Sequence, residues 1–222
     1  MIVTQKKEVE EIIKSFEPFN KFLVIGCSSC ATKCQTGGED QVKEMVELLK
    51  EKGKTVIASA VFEEPCDKRL TKKDYNSLKK ENSEVPNADV AIIMSCGLGC
   101  QAFAEVTNHV IIPSNDTVFM GITEKLGNFK EYCKACGECV LGDTGGICPK
   151  TRCAKGLLNG PCGGVANGSK CEYGGYVNDC AWILIYNKLK EINQLNKYLI
   201  FHPPTDFLLE NHPRKIPKEE SA

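Results

Sequence analysis

No sign of charge dominates this sequence. Its 28 Lys and Arg balance 29 Asp and Glu, for a formal net charge of -1. There is neither the basic excess of a nucleic-acid footprint nor the acidic excess of a disordered tail. No apolar run is long enough to span a bilayer. The opening residues, MIVTQKKEVEE, carry charge early and have no apolar stretch of the kind a secretion signal needs. A phosphate-binding glycine loop and a pair of carboxylates forming a convincing active site are also missing. These absences argue against nucleic acid, membrane insertion and secretion, and lead to the expectation of a cytoplasmic protein with no catalytic centre of its own.

Cysteine is the opposite case, with 14 residues in a chain of 222. Disulfide scaffolds of that cysteine density are short secreted chains. This chain is long enough to bury a core without covalent staples, and 42% of its residues are hydrophobic. Metal binding is therefore the expected role of the thiols.

The first half reads as alternating helices and strands. Val9, Ile12, Ile13 and Phe16 share a helical face that ends near Pro18, and Lys21–Gly26 is a short buried strand. Val42, Met45, Val46 and Leu49 mark a second helix, with Gly53 just past its end. Further strands are expected at Thr55–Val61, Asp89–Ser95 and His109–Pro113. This order predicts an α/β domain over residues 1–124 with an open, mostly parallel sheet. Functional groups in such sheets gather beyond the carboxyl ends of the strands. Cys27, Cys30 and Cys34 follow the first strand, Cys66 the second, and Cys96 and Cys100 the third, so six cysteines distant in sequence are candidates to meet at one sheet edge. Cys27-x2-Cys30-x3-Cys34 supplies three ligands, with Cys66, Cys96 or Cys100 as the fourth. The competing reading is that one or two are buried thiols packed as small apolar groups. The turn Ser95-Cys96-Gly97-Leu98-Gly99-Cys100 falls short of a dinucleotide fingerprint and reads as a ligand-bearing turn.

From about Lys125 the pattern changes, and residues 125–222 form a second, cysteine-rich domain with a C-terminal helix and tail. Residues 133–180 hold eight cysteines and eleven glycines with little apolar periodicity. Such a segment needs metal to organise it. Cys133-x2-Cys136-x2-Cys139, followed by Cys148-Pro149, has the spacing of a [4Fe–4S] loop, although the gap before Cys148 exceeds that of the compact ferredoxin run. Cys153, Cys162, Cys171 and Cys180, with Cys148, offer five candidates for a second four-ligand site, a cluster or the all-cysteine zinc that is its rival. Trp182, Ile185, Tyr186, Leu189 and Ile192 share one face of a helix beginning at Cys180, with Trp182 expected in the core. The tail after His202 reads as extended, with His202 and His212 facing solvent, and His109 reads as structural.

The segment CKACGECVLGDTGGICPKTRCAKGLLNGPCGG, with Lys170-Cys171-Glu172 and Cys180-Ala181-Trp182 beyond it, resembles the methylene-tetrahydrofolate reductase C-terminal domain family. The N-terminal GCSSCATKCQTGGE is similar to the MetV-like small subunits of acetogen-type bacterial methylenetetrahydrofolate reductases. The resemblance spans roughly residues 1–210. It implies a non-catalytic subunit carrying two or three [4Fe–4S] clusters, with zinc as a further occupant. The eight cysteines from Cys133 to Cys180 and the Cys27, Cys30, Cys34 group would be the ligands. Its partners would be a MetF-like flavoprotein, which holds the catalytic barrel, and an electron-donating iron–sulfur or NADH-oxidising subunit. A zinc-stabilised docking module without a redox role is the alternative. This chain itself is no such barrel, having about half of the eight strand–helix units one requires.

Overall fold

Four residues in a row, Phe22 to Ile25, are fully buried, which requires a strand covered on both faces. The computed structural model, which describes residues 1–211 and 213–216, divides into two units, Met1–Lys130 and Glu131–Ala222. In chain order the first contains β1 (Ile2–Lys6), α1 (Val9–Phe16), β2 (Lys21–Cys27), α2 (Cys30–Lys33), α3 (Glu39–Glu51), β3 (Thr55–Phe62) and α4 (Lys68–Glu81). After a 3-10 turn at Val85–Asn87 come β4 (Val90–Met94), α5 (Gly97–Val106), β5 (Val110–Pro113) and β6 (Asn115–Lys125), and then β7 (Asn128–Cys133), which leads out of the unit.

The fold is α/β. Strands β3-β2-β4-β5 form an open sheet in that order, and every pairing is parallel. Alternate residues of β2 face opposite layers. Phe22 and Val24 pack with Ile12 and Phe16 of α1 and with Val42, Met45 and Leu49 of α3. Leu23 and Ile25 pack with Tyr75 and Leu78 of α4 and Phe103 of α5. Each such aliphatic or aromatic side chain contributes about 1.5–3 kcal/mol on burial. α3 stops where the sequence requires it to: Gly53 takes φ 71, and Gly53 and Lys54 N–H donate back to Lys50 and Leu49 carbonyls at 2.9 Å each, the Schellman arrangement.

Three elements have weak sequence signals. α4 buries only Thr71, Tyr75 and Leu78 among many lysines. Its start is held by the Asp67 carboxylate, which accepts the Arg69 backbone N–H at 2.8 Å. β1 and β6 pair antiparallel and, with β7, make a separate small sheet. Much of β6 is exposed, Val118 and Ile122 included, so no clean alternation marks it.

The second unit has little regular structure before its helix. It contains α6 (Pro149–Arg152), the two-residue strands β8 (Val165–Ala166) and β9 (Lys170–Cys171), α7 (Ala181–Glu191), a 3-10 turn at Leu195–Leu199 and α8 (Phe207–Asn211). Its core is small: Cys180, Trp182, Ile185 and Leu189, flanked by Ile147, Leu157, Val165 and Tyr198. Trp182 is buried and its indole N–H donates to the Leu157 carbonyl at 2.9 Å. Tyr186 and Ile192 remain 39% exposed, so the apolar stripe of α7 is narrower than its pattern. Two expectations for the tail are corrected. It is not wholly extended, since α8 forms within it. His202 is buried at 8% exposure, because the Asn159 side chain bonds both its backbone N–H and its carbonyl at 2.8 Å. His212 lies outside the described residues.

Candidate metal centres

Strand order alone decides where the first group of cysteines sits. β3 lies on one side of β2 and β4 on the other, so a crevice opens beyond the carboxyl ends of β2 and β4 where the connections diverge. Cys27 ends β2, Cys30 opens α2, Cys66 follows β3 and Cys96 precedes α5. The loops bearing them are joined by short contacts. Cys27 N–H donates to the Gly37 carbonyl at 2.8 Å and Ser28 N–H to the Phe62 carbonyl at 2.9 Å. The Ser28 hydroxyl donates to the Glu63 carbonyl at 3.0 Å. Gly37 lies so near β4 that a Cβ there would stand 1.7 Å from the Met94 carbonyl oxygen. A Cβ on Gly99 would stand 3.2 Å from Pro65 Cγ, which brings the Cys66 loop against the first turn of α5.

Electrostatics register the proximity. Burial pushes the Cys27 thiol up, with Cys30 and Cys96 adding to the effect and the backbone at Ala31 and Ser29 opposing it. Burial also raises Cys66, with Cys96 and Cys27 adding to it. Cys100 feels Cys96 too, but its sulfur faces the Ile93 carbonyl at 3.9 Å and packs in the core, and burial raises its pKa to about 11. Cys34 is buried with its sulfur 3.8 Å from the Ile2 carbonyl. Cys30, Cys66 and Cys96 thus each act on Cys27 or on one another, and Cys27, Cys34, Cys96 and Cys100 are all buried. The glycine-containing turn at Ser95–Cys100 opens α5, and its Gly97 N–H is taken by the Thr117 hydroxyl at 2.7 Å.

In the second unit, Cys153, Cys162, Cys171 and Cys180 line one cavity, together with Val165, Ala181 and Trp182. These four cysteines, spread over 28 positions, reach the same cavity because the β8–β9 hairpin folds back and Cys180 stands at the N-terminal end of α7. The other cysteines lie around α6. Cys148 and Cys153 flank that helix at its two ends. Lys150, on α6, pairs with Glu138 at 2.8 Å, and this tie holds the Cys148 turn to the Cys133–Cys139 loop. Ala135 and Gly137, between the cysteines of that loop, take φ 52 and 84, so the chain curls tightly around them. Such a left-handed residue costs roughly 1–2 kcal/mol when it is not glycine.

The donors fit iron–sulfur or zinc chemistry. All fourteen cysteines are free thiols, and thiolates are the soft ligands both centres take. Backbone N–H groups already reach sulfur, from Ala135 to Cys133 at 3.3 Å and from Gly164 to Cys162 at 3.4 Å. Positive charge surrounds them. Lys155 Nζ lies 3.6 Å from Cys162 Sγ and pairs with Glu172. Arg152 stacks on Tyr132 with 4.7 Å between guanidinium and ring. Burial works against the Lys150 charge, but the Glu138 hydrogen bond and the adjacent Cys136 sulfur outweigh it and raise its pKa. The thiols are near one another without being closed on a point: among the described residues, no three His, Cys, Asp or Glu are grouped as around a single ion. Lys150, Lys155, Glu138 and Glu172 are residues that sequence reasoning passes over. The signal for them is the repeat of lysine two positions after cysteine, in Cys148-Pro149-Lys150 and Cys153-Ala154-Lys155.

The fold and these clusters define an α/β protein with a cysteine-built second unit. Residues 112–208, which take in β6, β7 and the second unit as far as Leu208, match the family described as methylene-tetrahydrofolate reductase C terminal. That segment is similar to the C-terminal domain of methylene-tetrahydrofolate reductase, and the likeness links the chain to that reductase. Comparison with curated proteins and with solved structures gives no match. Among the described residues no helix is long and apolar enough to cross a membrane.

Proposed function

We propose that the chain is the iron–sulfur electron-transfer subunit of a methylenetetrahydrofolate reductase complex. It passes electrons to or from the flavin of a MetF-like catalytic subunit, which interconverts 5,10-methylenetetrahydrofolate and 5-methyltetrahydrofolate. The observation that carries this reading is that Cys153, Cys162, Cys171 and Cys180 line one cavity inside the matched segment. Cys133, Cys136, Cys139 and Cys148 make the second set, drawn together by the Lys150–Glu138 pair. Cys27, Cys30, Cys66 and Cys96 make a third candidate set in the first unit. Iron–sulfur clusters held by these thiolates would supply one-electron uptake and release over a wide range of potential. The protein's part is to hold them, to limit water with Trp182, Ala181 and Val165, and to set the field with N–H groups and cations. An iron–sulfur or NADH-oxidising subunit completes the path as donor.

An all-cysteine set also suits zinc, and a zinc-stabilised docking module is the second reading. Anaerobic purification with iron, sulfide and zinc analysis separates the two. Two four-iron clusters give about eight iron and eight sulfide per chain and a broad visible absorption bleached by dithionite. A colourless protein holding zinc alone overturns the electron-transfer reading. With clusters present, the chain should restore electron flow from donor to MetF-like flavoprotein, and should turn over no folate alone.

A further inference from the structure

Each of the two C-terminal cysteine groups contains the same three-part arrangement: a lysine ammonium, a glutamate that anchors it, and a cysteine sulfur it reaches. In one, Lys150 on α6 pairs with Glu138 at 2.8 Å, and the nearby Cys136 sulfur favours its charge. In the other, Lys155 pairs with Glu172 and stands 3.6 Å from Cys162 Sγ. Both lysines sit two residues after a cysteine, yet the sulfur that favours each one's charge belongs to a different cysteine, Cys136 or Cys162. Gly164 makes room for the second couple, since a Cβ there would fall 2.3 Å from the Glu172 carboxyl carbon. A lysine needed only for solubility would extend into water. These two are instead held against sulfur by a carboxylate.

We propose that Lys150 and Lys155 are positioning residues that raise the reduction potentials of the two C-terminal centres, one lysine acting on each. This rests on the iron–sulfur reading above. One-electron reduction adds a unit of negative charge to the cluster and its thiolates. An ammonium in contact with a ligand sulfur favours the reduced form over the oxidised one. No proton is transferred: the electron comes from the reductant, and the lysine carries its charge in both states. The two effects differ in size because screening depends on burial. The Lys150 side chain is 8% exposed and that of Lys155 51%, so Lys150 exerts the stronger field.

The test is a dye-mediated potentiometric titration of the full chain, followed by visible and paramagnetic resonance spectra, on wild type and on Lys150→Met, Lys155→Met and Lys155→Arg. Iron and sulfide are measured on each. Lys150→Met is expected to lower one midpoint by about tenfold in the reduction equilibrium, about 59 mV for one electron, and to leave the other unmoved. Lys155→Met should shift the other midpoint by a smaller amount, and Lys155→Arg, which keeps the charge, should restore most of it. If Lys150→Met loses iron, the exposed Lys155 pair decides alone. Unmoved midpoints in methionine variants that retain their iron overturn the inference and leave the iron–sulfur reading standing. Wild type without iron overturns that reading itself, and this inference with it.

Discussion

His109 shows how one side chain links sequence to stability. Its ring lies between Tyr75 and Phe103. Nδ1–H donates to the Ala88 carbonyl at 3.3 Å, and Nε2 accepts the Tyr75 hydroxyl at 2.8 Å. That pattern requires the neutral ring. Burial lowers the His109 pKa, and the Ala88 hydrogen bond opposes this only in part. The unfolded chain, with an ordinary histidine pKa of about 6.5, therefore takes up the proton first as pH falls. The contribution of His109 is present in full above about pH 6.5 and is lost as pH drops through the lower folded value. Urea titrations of the first unit's transition should show stability declining as pH falls from about 7 toward 5, and His109→Gln should flatten that slope. An unchanged slope in the variant would show that other groups set it.

At the level of elements, two glycines make opposite demands. Gly53 ends α3 at φ 71 with open space around it. Gly53→Ala should cost about 1 kcal/mol, the price of the left-handed conformation alone. Gly37 has no such backbone constraint, but a Cβ there would overlap the Met94 carbonyl, which is fixed backbone inside the sheet. Gly37→Ala must push the Cys27–Gly38 loop off the ends of β2 and β4. It should destabilise the first unit by about 2–4 kcal/mol, at the upper end for single substitutions, and should make Cys27 react faster with alkylating reagents. Equilibrium unfolding and thiol-labelling rates measure both. Equal costs at the two positions would contradict the close approach.

For the whole molecule, the two units differ in what holds them. The first has a large apolar cluster on each face of its parallel sheet. The second has four buried residues at its core, one of them Cys180. Chelation should therefore strip amide protection from residues 133–180 and leave β2, β4 and α3 protected, because metal binding supplies folding energy where apolar burial cannot. Hydrogen exchange with and without chelator reads this directly. Protection across 133–180 that survives metal removal would show that the small core around Trp182 suffices.

Local pattern made much of this legible. The helical faces of α1 and α3, the buried run of β2, the stop at Gly53 and the burial of Trp182 all follow from spacing and hydropathy, because neighbours in sequence dictate them. The reading of Cys133-x2-Cys136-x2-Cys139 as a cluster loop rests on two-residue spacings that act within one loop. α4, β1 and β6 were hidden because they bury few side chains, and burial is what writes periodicity into a sequence. The burial of His202 leaves no local signal, because its partner, Asn159, lies 43 residues away.

The sequence by itself determined the element types of the parallel sheet and the cysteine content. Tertiary structure decided which cysteines are neighbours. Strand order brought Cys66 and Cys96 near Cys27, Cys100 packs in the core beside the sheet, and Cys153, Cys162, Cys171 and Cys180 came to line one cavity. It also decided which lysines face sulfur. The physical reason is that ligand grouping depends on how strands order and loops return, and those are set by burial summed over the whole chain.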